Sequence, residues 1–154
     1  MFRGRIAEDF KLVTGTFIRV GAARTALLSA APVLSDAVIT GEERERVCAL
    51  AWLNPAEARS LLGADVPTDG ELVAHEILHE VLAHLLAEHN DTVESAARIE
   101  RLVVLARPAD LDAGEITDKG YINQRQVLKN RAELIELLYT EPPPAGVIIA
   151  RRTR

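Results

Sequence analysis

The sequence is poor in cysteine and in aromatic residues, and both shortages limit what the protein can be. Cys48 is the single cysteine among 154 residues, so no internal disulfide can form. Because it lies in the apolar run Val47–Trp52, we predict a buried structural thiol rather than a nucleophile. Only 4% of the residues are aromatic, and aliphatic side chains must therefore fill the interior.

Long apolar runs and an excess of basic residues are also missing. No stretch approaches the roughly 18 apolar residues that a membrane-spanning helix needs, and the first residues hold no apolar signal-peptide core. The net charge of −5 argues against nucleic acid as a partner, because phosphate contacts require concentrated Lys and Arg. We therefore expect a cytoplasmic protein that binds neither a membrane nor nucleic acid.

The composition that is present is typical of one folded domain. Hydrophobic residues make up 48% and charged residues 27% of the chain, and the mean hydropathy is near zero. A chain of 154 residues is long enough to bury a core without disulfide or metal support. We predict a single domain over residues 1–154.

The pattern of apolar residues predicts a mixture of strands and helices. Two short extended runs, Phe10–Leu12 and Phe17–Val20, flank Gly15 and predict a hairpin. The remaining elements are predicted as helices over Ala22–Ala31, Glu71–His89, Val93–Ile99 and Asn123–Tyr139, and as strands over Asp36–Thr40, Val47–Leu53 and Arg101–Ala106. The fold class is α+β: a small mixed or antiparallel sheet of about three strands, covered by helices and preceded by a two-stranded hairpin.

The predicted helix over Glu71–His89 is the clearest amphipathic segment. Apolar residues at helical spacing should form its inward face, namely Val73, Ile77, Leu78, Val81, Leu82 and Leu85. The second long helix should turn Val127, Leu134, Ile135 and Leu138 inward, with Asn123, Gln124 and Arg125 as its start and a solvated first turn.

A metal-binding pattern lies within the first of these helices. The residues His75–His79 read H-E-x-x-H, in which two histidines bind zinc and the glutamate activates water. A third ligand is not evident, because His84 lies about 140° around the helix from His79 and no glycine breaks the helix between them. His89 is likewise on another flank, although Glu94 or Glu100 could return after a turn. A zinc hydrolase is therefore an alternative, and a chance pattern in a histidine-rich helix is the interpretation we favour.

The most informative run is Leu111–Arg125, which contains Gly114-Glu115-Ile116-Thr117-Asp118-Lys119-Gly120. This run resembles the C-terminal segment of the feruloyl-CoA synthases, a branch of the AMP-forming acyl-CoA synthetase superfamily. In most of the superfamily the corresponding loop ends in Gly-Lys, whereas this branch is similar to the Thr-Asp-Lys-Gly found here. The resemblance implies that Lys119 is the catalytic lysine of adenylation, on a loop over residues 111–122.

A lysine suits that chemistry for a reason independent of the family. Joining a carboxylate to the α-phosphate of ATP brings two anions together, and an ammonium group on a flexible stem can offset their repulsion. Gly114 and Gly120 would allow the loop to move and its backbone to approach a ligand closely.

A second resemblance covers the front of the chain. Residues 4–16 are similar to the hinge of the superfamily and the hairpin that follows it. The resemblance implies that Arg5 approaches the nucleotide, that Glu8 or Asp9 occupies the hinge, and that Thr14, Gly15 and Thr16 line the tunnel for CoA. It divides the chain into hinge and hairpin (1–20), α+β core (21–110), lysine loop (111–122), C-terminal helix (123–141) and tail (142–154).

The resemblance also implies a two-step reaction. ATP and a carboxylic acid, possibly ferulate, would give an acyl-adenylate with Mg²⁺, and CoA would then displace AMP after the domain rotates about its hinge. Most ATP contacts and the Mg²⁺ site would lie in an N-terminal adenylation core, without which this domain should be catalytically silent; we assign no metal site to this chain. The alternative from a different class is a non-catalytic, helix-mediated interaction domain in which Lys119 affects no reaction.

Overall fold

Strands and helices are mixed along the chain. The structure is a computed structural model that describes residues 8–63, 68–94, 98–105 and 107–150. In chain order its elements are β1 (Phe10–Lys11), β2 (Phe17–Ile18), α1 (Val20–Ala30), β3 (Leu34–Thr40), β4 (Val47–Leu53), α2 (Pro55–Leu62), α3 (Asp69–Val73), α4 (Glu76–Thr92), β5 (Ile99–Leu105), α5 (Gln124–Asn130), α6 (Ala132–Leu138) and β6 (Ile148–Ile149).

The described strands form two sheets. Strands β1 and β2 pair as the predicted antiparallel hairpin, and the larger sheet has the order β3-β4-β5-β6. Its outer pairs are antiparallel, whereas β4 and β5 are parallel because the connection between them carries helices α2 to α4. The predicted α+β class and the three predicted strands are confirmed. The structure adds a fourth strand, β6, whose two residues are too few to give a recognisable strand pattern in the sequence.

Helices cover both faces of the larger sheet. All seven residues of β4 are buried, which is why the strand reads as an unbroken apolar run. One core lies on the side of α1 and α4 and includes Leu27, Ile39, Leu82 and Leu102. The other lies on the side of α5 and α6 and includes Leu50, Trp52, Val127 and Leu138.

Cys48 is fully buried on β4, as its apolar neighbours predict. Burial raises the pKa of its thiol to about 11, because the thiolate would lose its hydration. The side chain is therefore a small core residue and is protonated at neutral pH.

The predicted helix over Glu71–His89 differs from the structure at its start. The chain forms α3, breaks after Val73 and restarts at α4, where the side chain of His75 accepts a hydrogen bond from the backbone N–H of Ile77 at 3.2 Å. Because this cap begins a new helix, the predicted inward position of Ile77 is wrong, and its side chain is 55% exposed. Leu78 and Leu82 are buried as predicted, and Leu86 completes the buried stripe.

The short helix predicted around Val93–Ile99 is also wrong where the structure describes it. Val93 has an extended backbone at the end of α4, and Ile99 begins β5. The side chain of Asn90 donates to the carbonyl of Ile99 at 2.8 Å and accepts from its N–H at 2.9 Å. These two bonds join the end of the helix directly to the start of the strand.

The long helix predicted over Asn123–Tyr139 is two short ones. Asn123 caps α5, since its side chain accepts from the N–H of Gln126 at 3.2 Å, and the predicted helix start is correct. The helix then breaks at Arg131, where φ is −113° and ψ is 35°. Across the described parts of the chain, no helix combines the length and apolar character that crossing a membrane requires.

Candidate functional site

Lys119 lies at the tip of a tight hairpin. The carbonyl of Thr117 accepts from the N–H of Gly120 at 2.9 Å, and the N–H of Thr117 donates to the carbonyl of Tyr121 at 2.7 Å. Asp118 and Lys119 therefore occupy the two central positions of the turn. The side chain of Lys119 is exposed and makes no hydrogen bond or ion pair with the described residues.

Gly120 makes this turn possible through its backbone conformation. Its φ is 87°, in the left-handed region that residues with a Cβ rarely adopt. An added Cβ would meet nothing within 4 Å, so the backbone and not the available space demands glycine here. The order Thr-Asp-Lys-Gly thus has a local structural reason: glycine closes the turn that presents the lysine.

A buried carboxylate holds the base of this hairpin. Glu115 is 2% exposed, and its Oε1 accepts from Nη2 of Arg131 at 2.8 Å and from the N–H of Asp110 at 2.9 Å. Its Oε2 accepts from Nε of Arg131 at 3.0 Å and from Nδ2 of Asn130 at 3.3 Å. The Arg131 hydrogen bond is the main cause that lowers the pKa of Glu115 from 4.5 to about 2, so this carboxylate is ionised at neutral pH.

The guanidinium group of Arg131 forms hydrogen bonds with several parts of the loop. Besides binding Glu115, it donates to the carbonyls of Arg107 at 3.1 Å and Pro108 at 2.9 Å. Its Cζ lies 5.4 Å from the centre of the Trp52 ring. The break between α5 and α6 falls at this residue, and the guanidinium joins the start of the loop to the base of the lysine hairpin.

The hairpin between β1 and β2 repeats the hydrogen-bond pattern of the lysine hairpin. The carbonyl of Leu12 accepts from the N–H of Gly15 at 2.8 Å, and the N–H of Leu12 donates to the carbonyl of Thr16 at 2.9 Å. Gly15 has φ 90° and closes the turn as glycine does in the other hairpin. Thr14 thereby occupies the turn position that Lys119 has in its own hairpin.

This first hairpin rests on the turn between β3 and β4. The N–H of Val13 donates to the carbonyl of Arg44 at 2.9 Å. Gly41, in the turn between β3 and β4, lies so close to the first hairpin that an added Cβ would be 3.1 Å from a ring carbon of Phe10 and 3.2 Å from a methyl carbon of Leu12. The close approach of these two turns therefore depends on Gly41.

The residues predicted for nucleotide contact and for the hinge are only partly within the described chain. Arg5 lies outside the described residues. Asp9 accepts from the N–H of Val20 at 2.8 Å, which binds it to the first turn of α1. Glu8 lies 3.4 Å from Nη2 of Arg24, also on α1. Both predicted hinge carboxylates are thus connected to the same helix.

Arg24 connects the hinge side of the domain to the helix that follows the lysine loop. Its buried guanidinium donates to the carbonyl of Ala37 at 2.9 Å and to Oε1 of Gln124 at 2.8 Å. The prediction of a solvated Gln124 is wrong, since it is 2% exposed. Its amide accepts from the N–H of Ile39 at 2.9 Å and donates to the carbonyl of Ile39 at 3.0 Å, and so satisfies the open edge of β3.

The structure gives no support to the zinc alternative. His75 is occupied as the helix cap described above, and Nε2 of His79 lies 2.6 Å from the carbonyl of Val73. Within residues 8–63, 68–94, 98–105 and 107–150, no three histidine, cysteine or acidic side chains are grouped so as to hold a metal. His89 is buried and His84 is exposed, and neither forms such a group with His79 in the described chain.

The buried positions of Arg24 and Arg131 were missed in the sequence, although a signal for each was present. Arg131 lies on the inward stripe of its predicted helix between Val127 and Ile135, and Arg24 lies similarly between Val20 and Leu27. A charged residue at an inward position indicates a buried polar contact. The sequence does not show which groups these arginines bind.

Comparison with known proteins identifies a family and a fold. The family model described as "AMP-binding enzyme C-terminal domain" matches residues 10–142. No curated protein sequence matches the chain.

Several solved structures share the fold, among them three of carboxylic acid reductases. The A domain of carboxylic acid reductase from Segniliparus rugosus, in complex with AMP and a co-purified carboxylic acid, has a TM-score of 0.68 and 20% identity, over 88% of this chain and 20% of that one. The adenylation domain of the carboxylate reductase from Mycobacterium chelonae has a TM-score of 0.69 and 20% identity, over the same shares of 88% and 20%. The A-PCP didomain of the Segniliparus rugosus reductase with AMP has a TM-score of 0.65 and 21% identity, over 86% and 17%. This chain therefore spans at most a fifth of the length of these structures.

Proposed function

This chain belongs to the family of AMP-binding enzyme C-terminal domains, and we propose that it is the mobile C-terminal domain of a carboxylic acid–CoA ligase. In this proposal it acts with an N-terminal adenylation core that holds most of the ATP contacts and the Mg²⁺ site. The observation that carries the proposal is Lys119, an exposed ammonium group at the tip of a glycine-closed hairpin within the matched segment.

Lys119 serves the first step of the reaction. A carboxylate oxygen of the acid attacks the α-phosphorus of ATP, the bond from that phosphorus to the bridging oxygen breaks, and pyrophosphate leaves. Both reacting groups are anionic, and negative charge grows on the phosphate oxygens in the transition state. The ammonium of Lys119 offsets this charge when the hairpin tip enters the site.

The hairpin at Leu12–Thr16 serves the second step. After the domain rotates about Glu8 or Asp9, the tip of this hairpin lines the passage through which the thiol of CoA reaches the acyl-adenylate. Thr14 and Thr16 border Gly15 at that tip, with their hydroxyl oxygens 3.0 Å apart. The thiol loses its proton to solvent and its sulfur attacks the acyl carbon; the bond from that carbon to the phosphate oxygen breaks, AMP leaves, and the thioester forms. Arg5 is proposed to contact the nucleotide.

Ferulate or a related hydroxycinnamate is the proposed acid. The support is the resemblance of the Thr-Asp-Lys-Gly segment to the feruloyl-CoA synthases. We propose the cytoplasm as the location of the enzyme, where ATP and CoA are available.

The test of Lys119 uses the complete enzyme that contains this chain. ATP–pyrophosphate exchange with ferulate is compared for wild type, Lys119→Ala and the control Lys129→Ala, which removes an exposed lysine from α5. Loss of a charge that acts in the transition state should lower exchange by about 10²-fold or more in Lys119→Ala. The control should retain wild-type exchange.

The second half-reaction separates the two hairpins. Transfer of the acyl group from preformed acyl-adenylate to CoA should be nearly unchanged in Lys119→Ala, because this step does not require the adenylation charge. Unchanged pyrophosphate exchange in Lys119→Ala would contradict the proposal and favour the interaction-domain alternative. Comparing exchange with ferulate, benzoate and octanoate tests the acid specificity separately.

A further inference from the structure

The lysine hairpin is held by the buried ion pair between Glu115 and Arg131, and we propose that these two are positioning residues for Lys119 during adenylation. The inference rests on the proposed function of Lys119. Neither residue is exposed enough to touch a substrate, since Glu115 is 2% and Arg131 is 5% exposed. Their effect must therefore pass through the hairpin.

Glu115 fixes the point from which the hairpin projects. Its N–H donates to the carbonyl of Asp110 at 3.0 Å, and its carbonyl accepts from the N–H of Asn123 at 2.8 Å. Its carboxylate is bound at the same time by Arg131, by Asn130 and by the N–H of Asp110. Side chain and main chain of one residue are thus both held, immediately before the hairpin begins.

The side chain of Lys119 at the tip of the hairpin has no comparable support among the described residues. Only one bridge, between Ile116 and Ile122, lies between Glu115 and the turn that carries Lys119. The turn's backbone hydrogen bonds stay within the hairpin, and the lysine side chain has no partner among the described residues. The direction in which Lys119 points is therefore set at the base, where a small shift becomes a larger displacement at the tip.

Arg131 adds a connection to the rest of the domain. It binds the carbonyls of Arg107 and Pro108 at the start of the loop and lies over Trp52 of β4. The hairpin is thereby tied to the sheet rather than only to its own loop. A rigid connection of this kind suits a domain that must place one charged side chain in an active site formed largely by another domain. A displacement of about 1 Å in such a group can cost about 10²-fold in rate.

Stability alone does not require this ion pair. Replacing a buried pair by neutral or apolar groups of similar size is often neutral for folding, whereas removal of one partner leaves an uncompensated buried charge. The two roles therefore separate in a double variant. Glu115→Gln with Arg131→Met leaves no buried charge, so it should fold, yet it lacks the paired hydrogen bonds that orient the hairpin base.

The experiment measures both half-reactions in the complete enzyme for Glu115→Gln, the double variant, Lys119→Ala and Leu27→Ala. Leu27 is buried in the core on the opposite face of the sheet, so its truncation controls for lost stability. The acid is whichever of ferulate, benzoate and octanoate the wild type activates best. Thermal unfolding is recorded for every variant.

We expect adenylation to fall about 10- to 100-fold in both Glu115→Gln and the double variant, with acyl transfer to CoA retained. Recovery of wild-type adenylation in the double variant would overturn the inference, because the pair would then matter only for folding. An equal loss of both half-reactions, as expected for Leu27→Ala, would overturn it as well. Unchanged adenylation in Lys119→Ala would instead remove the proposed function on which the inference depends.

Discussion

Gln124 offers a sharp test of how this domain is held together, because one neutral side chain serves three partners. Its amide binds both main-chain groups of Ile39 and one nitrogen of Arg24. Gln124→Leu keeps the approximate volume and removes all three hydrogen bonds. The N–H and carbonyl of Ile39 would then be buried at the edge of β3 without a partner.

The magnitude follows from these lost bonds. A buried polar group without a partner costs about 1–3 kcal/mol, and Arg24 keeps its bonds to Ala37 and Glu8. Two orphaned backbone groups therefore predict a loss of about 2–6 kcal/mol in the free energy of unfolding. For a chain of this length, that lowers Tm by roughly 4–24 °C.

The assay is thermal and urea unfolding of Gln124→Leu beside Gln126→Leu. Gln126 is two residues further along α5, and its side chain donates to Asn130 near the surface. Its replacement should change stability by about 0.5 kcal/mol or less. A third variant, Gln124→Glu, keeps acceptors for Arg24 and the Ile39 N–H but places a carboxylate against the Ile39 carbonyl, so it should lie between the two. Equal stability of Gln124→Leu and Gln126→Leu would refute the assignment of Gln124 to the edge of β3.

Two further predictions concern the glycine turns and the dependence on pH. Gly120→Ala and Gly15→Ala each place a Cβ at positive φ and should lower the free energy of unfolding by about 1–2 kcal/mol. In the complete enzyme, Gly120→Ala should slow ATP–pyrophosphate exchange and Gly15→Ala should slow acyl transfer to CoA. If both variants slowed the same half-reaction, the assignment of the two hairpins to separate steps would be contradicted. The pKa of Glu115 is lowered in the fold, so the unfolded chain binds more protons below pH 4.5, and the ion pair's contribution is present above that pH and lost as pH falls toward 2. That pKa shift corresponds to about 3 kcal/mol. Between pH 6 and pH 3, the free energy of unfolding measured in urea should therefore fall less in the double variant Glu115→Gln with Arg131→Met than in wild type. Parallel pH profiles of the two proteins would show that Glu115 is not paired.

Local sequence was sufficient wherever local interactions decide the structure. The unbroken apolar run Val47–Leu53 predicts a strand, and this strand, β4, is one of the two inner strands of the larger sheet. The predicted turn at Gly15 follows from the freedom of glycine at positive φ, which no distant residue supplies. Asn123 was predicted to begin a helix, because an amide side chain caps the N–H groups of a first turn regardless of tertiary context.

Helix continuity was decided by tertiary contacts. Apolar spacing predicted one helix through Arg131 and one through His75, and both helices are broken at these positions. Spacing records which residues face inward, but it does not record that an inward guanidinium must reach Glu115. The solvated position predicted for Gln124 fails for the same reason, since its partner Ile39 is 85 residues away.

The sequence alone determined the α+β class, the hairpin turn at Gly15 and the position of Lys119 in a motif that suggests a chemical role. Those features depend on neighbours within a few residues, where side-chain preference and backbone geometry act directly. Only the tertiary structure showed that Glu115 and Arg131 hold the base of the lysine hairpin and that Arg24 binds Gln124, 100 residues further along the chain. Buried charged and polar groups must find partners, and which partners they find depends on the packing of the whole domain.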